Sequence, residues 1–428
     1  MAADTRKLVL SMLDMTTRQG KLSHHVLADA FSDNDLSVQD RAFVSRLYIG
    51  TLERAVCIDY IIDSHCSDSK KIKPAVRNIL RMGIYQMLFM DSVPDHAAIN
   101  ESVRLTLLSG KRQLKGFVNA VLRSIQRDLE DQKVFGDMPA FARYSVPEWI
   151  YDLLTDEYGK EKAEAFLEAS LKEDKPLYIR PSHNEDKDSL IGMLEKEGCS
   201  VSKVNEECMI LDLNFKGSPV QLEAFKKGLF FIQDPGSVMA AHNAAAALEK
   251  ADSPLIVDTC AAPGGKSTYV AAAFPGGKVI ARDISEEKAA LIRENINRLG
   301  LTNIEVQVKD ATTPDPVLSE KADLVICDVP CSGLGTIGGK PDIKLRLKKE
   351  DIESLAALAR KILAAASDMV KPGGVLAFST CTVTRTENRD NADWFENKFP
   401  FERISENQLL PSDGTDGFYC AVFKRKDI

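Results

Sequence analysis

From about residue 235 onward, short apolar runs alternate with helical patterns, and this alternation constrains the fold more than any other feature. Each run is rich in β-branched residues, and the clearest helical pattern covers Asp351–Val370. Strands that alternate with helices form a largely parallel sheet with helices on both faces. We therefore predict an α/β, Rossmann-like domain over residues 235–428, closed by an antiparallel strand at Phe418–Lys424. The other predicted strands are Leu255–Asp258, Lys278–Arg282, Ile304–Val308, Asp323–Cys327 and Gly374–Ser379.

The N-terminal part of the chain follows a different pattern. Apolar residues recur at helical spacing, and breakers at Pro74, Pro94 and Gly110 separate the stretches. This spacing predicts an all-α bundle over residues 1–136. The net charge of −8 means that any RNA-binding surface must be a local basic patch. The most basic sequence of the bundle either forms such a patch or is a solvated helix face. The residues of this candidate patch are Lys111, Arg112, Lys115, Arg123 and Arg127.

The residues between these two regions combine both patterns. Two predicted helices, Trp149–Tyr158 and Lys160–Leu171, precede a small α+β module. The predicted elements of this module are strands at 176–181, 208–213 and 228–233 and a helix near Asp188–Glu197. The sequence thus predicts three domains, which cover residues 1–136, 137–234 and 235–428.

Composition restricts the classes of protein to which the chain can belong. There is no apolar run of about eighteen residues and no signal-peptide pattern at the N-terminus, so we expect a cytoplasmic protein that does not cross a membrane. The nine cysteines lack the spacing of a disulfide framework and are expected to be reduced. Cys57, His65 and Cys66 lie close together, but no second pair completes a zinc set. We expect no metal.

The first predicted strand of the α/β domain runs into a loop of small residues and then into a helix. Small residues let a cofactor approach the backbone, and N–H groups at the helix N-terminus face its polar groups. Asp283 ends the second strand, where such sites place an acid for ribose hydroxyls, and Asp310 ends the third, where it suits an adenine amino group. P-loop and dinucleotide glycine motifs are absent. The loop residues are Cys260, Ala261, Ala262, Pro263, Gly264, Gly265 and Lys266.

Two cysteines follow neighbouring predicted strands. The fourth strand runs into Asp328-Val329-Pro330-Cys331, and the fifth into Ser379-Thr380-Cys381. The carboxyl ends of strands in a doubly wound sheet face the ligand crevice, so Cys331, Cys381 and Asp328 are expected beside the reactive end of the cofactor. The remaining cysteines are interpreted as small core residues. They are Cys57, Cys66, Cys199, Cys208, Cys260, Cys327 and Cys420.

Two thiols and an acid suit methylation of a pyrimidine at C5. That carbon is a poor nucleophile until a thiolate adds to C6, which makes C5 enamine-like and divides one hard step into easier ones. Asp328 would stabilise the adduct at N3, and Cys331, as a thiolate, would remove or relay the C5 proton. This chemistry requires both thiols to have lowered pKa values.

These strings resemble the motifs of a known enzyme family. The 260–266 loop, the Pro-Cys string that ends at Cys331 and the Thr-Cys string that ends at Cys381 resemble those of the Nol/Nop/Sun family of RNA cytosine-C5 methyltransferases. The resemblance implies S-adenosylmethionine as cofactor, Cys381 as nucleophile and Cys331 as the thiol that assists product release. It implies cofactor contacts from the loop and from Asp283, Asp310 and Asp328. The related DNA enzymes use the Pro-Cys thiol as nucleophile, which makes Cys331 the alternative.

The rest of the chain indicates a branch of this family. The helical N-terminus, with Gln39–Phe43 and Phe117–Arg123, resembles a NusB-type RNA-binding bundle. The three domains in this order resemble the bacterial Sun (RsmB) enzymes, which implies 16S rRNA as the substrate, and we expect a monomer. One departure is that Gly338-Gly339-Lys340 precede Pro341-Asp342, where the family often has basic residues. This departure concerns RNA docking and leaves the methyl-transfer residues unchanged.

Other hypotheses remain open from the sequence. The same chemistry could act on tRNA, and the NusB-like bundle favours rRNA only by analogy. A non-catalytic, RNA-binding ribosome-assembly factor would be expected to have lost a cysteine or a cofactor acid. This chain retains Cys331, Cys381, Asp283, Asp310 and Asp328. A methyltransferase of small molecules would need neither two thiols nor so long an N-terminal region.

Overall fold

The chain folds as two compact units, the first formed by residues 1–171 and 337–347. The computed structural model describes residues 4–131, 133–172, 176–182, 187–205, 210–215, 217–248 and 252–427. In the described part, the first unit is helical, as its sequence predicted. Its helices are α1 (Thr5–Gln19), α2 (Ser23–Asp33), α3 (Val38–Glu53), α4 (Ala55–Ser64), α5 (Pro74–Phe89), α6 (Asp95–Leu108), α7 (Lys115–Glu130), α8 (Ala140–Arg143), α9 (Glu148–Tyr158) and α10 (Lys160–Ser170).

Local signals explain where these helices begin and end. Ser37 caps α3 by accepting a hydrogen bond from the backbone N–H of Asp40, and Pro74 occupies the first turn of α5. Gly20 ends α1 with a φ of 71°, a left-handed conformation that glycine adopts without strain. The apolar faces of the helices pack into one core, which includes the fully buried Leu47 and Ile79.

This helical unit is larger than the predicted 1–136 domain. It includes α8 to α10 and the segment 337–347, which contains a short helical turn at Ile343–Arg346. Within the unit, Lys344 Nζ donates to the backbone oxygen of Glu53 at 2.7 Å, and the buried Asp342 carboxylate accepts a hydrogen bond from Ser23. These contacts join residues far apart in sequence, so periodicity gave no sign of them. The three-domain division remains a prediction.

The second unit, residues 172–336 and 348–428, contains a small sheet whose described strands run in the order β2-β3-β1-β4 and pair antiparallel. Three of these strands were predicted, and β2 was not. Of the predicted 208–213 strand, Cys208 and Met209 lie outside the described residues. The elements are β1 (Tyr178–Pro181), α11 (Lys187–Lys196), β2 (Ser200–Asn205), β3 (Ile210–Asn214), α12 (Glu223–Lys226) and β4 (Phe230–Ile232).

The larger sheet of this unit has, among the described residues, seven strands in the order β10-β11-β9-β8-β5-β6-β7. Strands β5 to β9 pair parallel, and β10 and β11 close the edge antiparallel. The elements are α13 (Pro235–Ala246), β5 (Leu255–Asp258), α14 (Gly265–Ala273), β6 (Lys278–Asp283), α15 (Glu286–Leu299), β7 (Ile304–Val308), β8 (Ala322–Asp328), α16 (Lys349–Met369), β9 (Val370–Thr380), α17 (Arg389–Lys398), β10 (Phe401–Leu409) and β11 (Phe418–Arg425).

Helices cover both faces of this sheet. The successive β5 residues Ile256 and Val257 belong to two different core clusters, one containing residues of α13 and α14 and the other residues of α16 and α17. The predicted fold class, an all-α N-terminal bundle followed by an α/β Rossmann-like domain, is confirmed. None of the described helices combines the length and the apolar sequence that a membrane span requires.

Candidate active site

A cavity of about 210 Å³ opens at the carboxyl end of β5. The loop after β5 forms one side of it, because Gly264 turns the chain with a φ of 106° and Gly265 begins α14. Apart from Gly264, every predicted loop residue lines the cavity, as does Asp328. Residues that the sequence had not singled out complete the lining. They are Phe231, Ile232, Gln233, Asp234, Ser237 and Asp258.

Asp258 is the most deeply buried acid of this cavity, with 1% of its surface exposed. Its Oδ2 accepts a hydrogen bond from Ser267 Oγ at 2.6 Å, whereas Oδ1 has no hydrogen-bond partner among the described residues. Burial raises its pKa to about 7, because a low-dielectric site disfavours the charged carboxylate. The cavity therefore presents an unused acceptor to a ligand.

Asp283 and Asp310, the acids predicted to contact the ribose and the adenine, lie outside the cavity lining. Asp283 is buried and accepts hydrogen bonds from the backbone N–H groups of Ala262 and Ile284, at 3.0 and 2.8 Å. The hydrogen bond to Ala262 holds the 260–266 loop against the end of β6. Asp310 is exposed, and hydrogen bonds from the backbone and hydroxyl of Thr312 lower its pKa. The ribose and adenine contacts assigned to these two acids remain predictions.

Lys266 and Asp328, which both line the cavity, form an ion pair. Lys266 Nζ lies 2.6 Å from Asp328 Oδ2 and 3.0 Å from Ser237 Oγ. The second carboxylate oxygen accepts a hydrogen bond from Ser379 Oγ at 2.8 Å. Burial alone would lower the pKa of Lys266, but the Asp328 carboxylate more than compensates and holds that pKa above its usual value. Lys266 is therefore charged, and the nearby Cys381 interacts with its charge.

Strand register brings the two cysteines together. In the parallel pair β8–β9, Asp328 lies opposite Ser379, so the chain segments that follow these residues leave the sheet side by side. The Sγ atoms of Cys331 and Cys381 lie 3.4 Å apart, as expected from the sequence. The pKa of Cys331 is raised by its contact with Cys381 and by burial. That is the opposite of the lowered value expected for both thiols, because Cys331 is surrounded by protein rather than by cations.

Two residues that the sequence analysis missed contact both cysteine loops. Glu387 accepts a hydrogen bond from the backbone N–H of Ser332 at 2.7 Å, and Asn388 donates one to the backbone oxygen of Thr382 at 3.0 Å. Neither residue follows a β-strand, so no strand-end signal marked them. Their position just before α17 was the only available indication.

The candidate basic patch and the Cys57–Cys66 cluster belong to the first unit. In the candidate basic patch, Arg112, Lys115 and Arg127 are exposed, and Arg123 donates to Gln126 at 2.9 Å. His65 pairs with Asp128 at 3.0 Å. No cluster of His, Cys, Asp or Glu suited to hold a metal ion occurs within the described ranges. Among the cysteines assigned to the core, Cys57, Cys199, Cys327 and Cys420 are buried, and Cys66 and Cys260 are half-buried.

Two comparisons with solved structures support the fold. The crystal structure of PH0851 superposes with a TM-score of 0.81 at 22% identity, covering 99% of this chain and all of that one. NSun6 from Pyrococcus horikoshii, solved with SFG, superposes with a TM-score of 0.60 at 24% identity and covers 66% of this chain and 98% of its own. At these identities the similarity shows the fold.

Sequence comparisons show the family. Residues 245–424 match the family described as 16S rRNA methyltransferase RsmB/F, and residues 3–127 match the NusB family. The probable ribosomal RNA small subunit methyltransferase B of Bacillus subtilis is 32% identical, covering 98% of both chains. Its namesake from Vibrio cholerae is also 32% identical, over 94% of both chains. This chain therefore belongs to the family of ribosomal RNA small subunit methyltransferases B, as its motifs predicted.

Proposed function

We propose that this protein methylates C5 of a specific cytosine in 16S rRNA, with S-adenosylmethionine as methyl donor and Cys381 as nucleophile. One observation carries the proposal. The thiols of Cys331 and Cys381, 3.4 Å apart, lie at the same edge of the sheet as the Lys266–Asp328 ion pair. One thiol next to a cation can supply the nucleophile for covalent attack on a pyrimidine ring, and a second thiol and an acid can handle the protons of the later steps.

The cavity fits the proposed methyl donor. S-adenosylmethionine carries a cationic amino group, and Asp258 Oδ1 is a buried acceptor without a partner in the described part of the chain. A Cβ atom on Gly265 would lie 2.9 Å from Gln233 Nε2, so a larger residue would crowd this cavity wall. Residues 260–265, Asp258 and Asp328 would hold the cofactor, which supplies an electrophilic methyl group when bound.

The side chains of the site divide the remaining work. Cys381 Sγ forms a bond to C6 of the cytosine, and Asp328 stabilises the ring at N3. After C5 has received the methyl group, the thiolate form of Cys331 accepts the C5 proton to become a thiol, and the bond between Sγ of Cys381 and C6 breaks. This restores the aromatic ring and the free thiolate.

The surroundings of the two thiols favour Cys381 over Cys331 as nucleophile. Cys381 interacts with the Lys266 ammonium, and a nearby cation favours a thiolate. The raised pKa of Cys331 disfavours it as the attacking thiolate, and the same raised pKa makes its thiolate form the stronger base for the C5 proton. If Cys331 were the nucleophile, the Lys266 ammonium would interact with Cys381, the thiol that does not attack the ring.

The substrate assignment depends on the relatives, which are named as small-subunit rRNA enzymes over nearly the whole chain. Its test is methyl transfer from labelled S-adenosylmethionine to deproteinised 16S rRNA, with tRNA in parallel and with identification of the modified base. We expect 5-methylcytosine in rRNA alone. 5-Methylcytosine in tRNA would overturn the assignment of 16S rRNA as substrate but would support the proposed reaction at C5 of cytosine. No label in either RNA would favour the non-catalytic assembly factor.

A further inference from the structure

Glu387 is a buried acid that the mechanism above does not use. Only 1% of its surface is exposed, and the contacts of its carboxylate in the described part of the chain are hydrogen bonds from N–H and hydroxyl groups. Burial raises its pKa, because a carboxylate away from water is costly unless hydrogen bonds compensate. The hydrogen bonds of this carboxylate therefore indicate what it does in the fold.

Those hydrogen bonds reach both cysteine loops. One carboxylate oxygen accepts from the backbone N–H of Ser332 at 2.7 Å, and the other accepts from Ser332 Oγ at 2.6 Å. The latter oxygen also accepts from Thr384 Oγ1 at 2.7 Å and from Thr382 Oγ1 at 3.3 Å. Ser332 directly follows Cys331, and Thr382 directly follows Cys381. A single carboxylate therefore contacts the neighbour of each thiol.

Two further contacts tighten this arrangement. The hydroxyls of Ser332 and Thr382 share a hydrogen bond of 2.7 Å. Asn388, the residue after Glu387, accepts from Thr380 Oγ1 at 2.5 Å and donates to the backbone oxygen of Thr382 at 3.0 Å. It thus holds the residues on both sides of Cys381. The loops come from different strands, and two backbone hydrogen bonds of 3.1 Å also join them, donated by the N–H of Val329 to Ser379 and by the N–H of Gly335 to Cys381. The side-chain contacts of Glu387 and Asn388 add to these bonds and hold the residues next to each thiol.

We propose that Glu387 is a positioning residue that clamps the Cys331 and Cys381 loops together and so sets the distance between the two thiols. This proposal rests on the proposed function only in assigning the thiols their roles. The clamp itself is a geometric property, and it can be measured without any methyl transfer. Reacting groups displaced by about 1 Å lose on the order of 100-fold in rate, so loosening the clamp would impair turnover while leaving ligand binding intact.

The test compares Glu387→Ala, Glu387→Gln and the wild type in the full-length protein. A bimane carrying two bromomethyl arms reports the thiol separation, because it becomes fluorescent when two neighbouring cysteines bridge it. Cys331→Ala gives the background from other cysteines. We expect Glu387→Ala to slow bridging about tenfold and to lower kcat on 16S rRNA by about 10- to 100-fold, with KM within about twofold of the wild type.

Glu387→Gln separates position from charge. Its amide can still accept from the Ser332 N–H and donate to the hydroxyls, so bridging and kcat should stay within about threefold of the wild type. The matched control is Glu396→Ala on α17, which loses contacts to Arg403 but touches neither cysteine loop. It should leave bridging unchanged. If Glu387→Ala does not fold, Ser332→Ala replaces it as the test. This variant keeps the backbone hydrogen bond to Glu387 but loses the hydroxyl, so its bridging should be slower than in the wild type by less than about tenfold.

Normal bridging in Glu387→Ala would overturn the clamp. An equal slowing of bridging in Glu387→Gln and Glu387→Ala would show that the charge of the carboxylate causes the effect, and this result would also overturn the clamp. If bridging were slowed equally in Glu396→Ala, the cause would be a general loosening of α17, and the clamp would again be overturned. Bridging in the wild type together with no methyl transfer to any RNA would refute the proposed function, while the bridging results would still decide the clamp.

Discussion

Lys266 and Asp328 form an ion pair of 2.6 Å inside the methyltransferase unit, where Lys266 is 6% exposed. Removing one partner of such a pair leaves an uncompensated charge. We expect Lys266→Met to lower the free energy of unfolding by about 3 kcal/mol, near the lower end of the usual range because Asp328 retains some contact with water. Denaturant unfolding measures this loss. The double variant Lys266→Met/Asp328→Asn should recover part of it, and additive losses would contradict the pairing.

The same substitution tests whether Lys266 activates the nucleophile. Without the cation, the thiolate of Cys381 is less favoured, so alkylation of Cys381 by iodoacetamide should reach its half-maximal rate at a higher pH than in the wild type. Peptide mapping after alkylation isolates this cysteine from the others. An unchanged profile would show that the charge of Lys266 has no effect on this thiol.

Cys381→Ala is expected to abolish methyl transfer, with a loss of at least about 1,000-fold, because the remaining thiol of the pair, Cys331, has a raised pKa and is the poorer nucleophile. The side chain is small and contributes little to the cofactor cavity, so S-adenosylmethionine should bind nearly as in the wild type. Label transfer measures the first effect, and calorimetric titration measures the second. Retained turnover would refute the assignment of Cys381.

Cys331→Ala should accumulate a covalent complex with RNA. The variant keeps Cys381 and can form the bond to C6, but it lacks the group proposed to accept the C5 proton, so elimination stalls. A species of protein plus RNA that resists denaturing electrophoresis is the expected result. If Cys381→Ala formed this species and Cys331→Ala did not, the roles of the two thiols would be reversed.

The Pro-Cys loop also depends on a close approach of two glycines. Gly417 donates its backbone N–H to the carbonyl oxygen of Gly335 at 2.8 Å, and a Cβ atom on Gly335 would collide with the backbone of Gly417. Gly335→Ala should therefore destabilise the unit by about 1–3 kcal/mol. Gly192→Ala is the control, since a Cβ atom there meets nothing within 4 Å and alanine favours helix α11. Equal stability of the two variants would contradict the close approach.

Asp258 gives a prediction about pH. Its pKa is about 7 in the folded protein against an ordinary value of 3.8, so the folded state retains a proton that the unfolded chain has lost. Stability contributed by this residue is therefore present below about pH 4 and is lost as the pH rises to about 7. Asp258→Asn should match the wild-type Tm at pH 4 and exceed it by at least about 2 °C at pH 8. A constant difference between these pH values would contradict the raised pKa.

The sequence predicted the strands of the parallel sheet well, because both of their faces are covered and their apolar runs are nearly continuous. It missed β10 (Phe401–Leu409), most of whose outward side chains are polar, as in an edge strand. It likewise missed β2, the edge of the small sheet. Edge position alone does not hide a strand, because the edge strands β4 and β7 were predicted from their apolar residues. The strands β2 and β10 combine an edge position with a mostly polar sequence, so they lack the apolar run that marked the others.

By itself, the sequence determined the chemical groups of the site and their order along the chain. Cys331, Cys381 and Asp328 could be found because parallel strands deliver their carboxyl ends to one edge of a sheet. Tertiary structure alone decided the rest. It paired Lys266 with Asp328, raised the pKa of Cys331 through its contact with Cys381 and through desolvation, and placed Glu387 against both cysteine loops. These outcomes depend on distances between residues far apart in sequence, and no local periodicity encodes such distances.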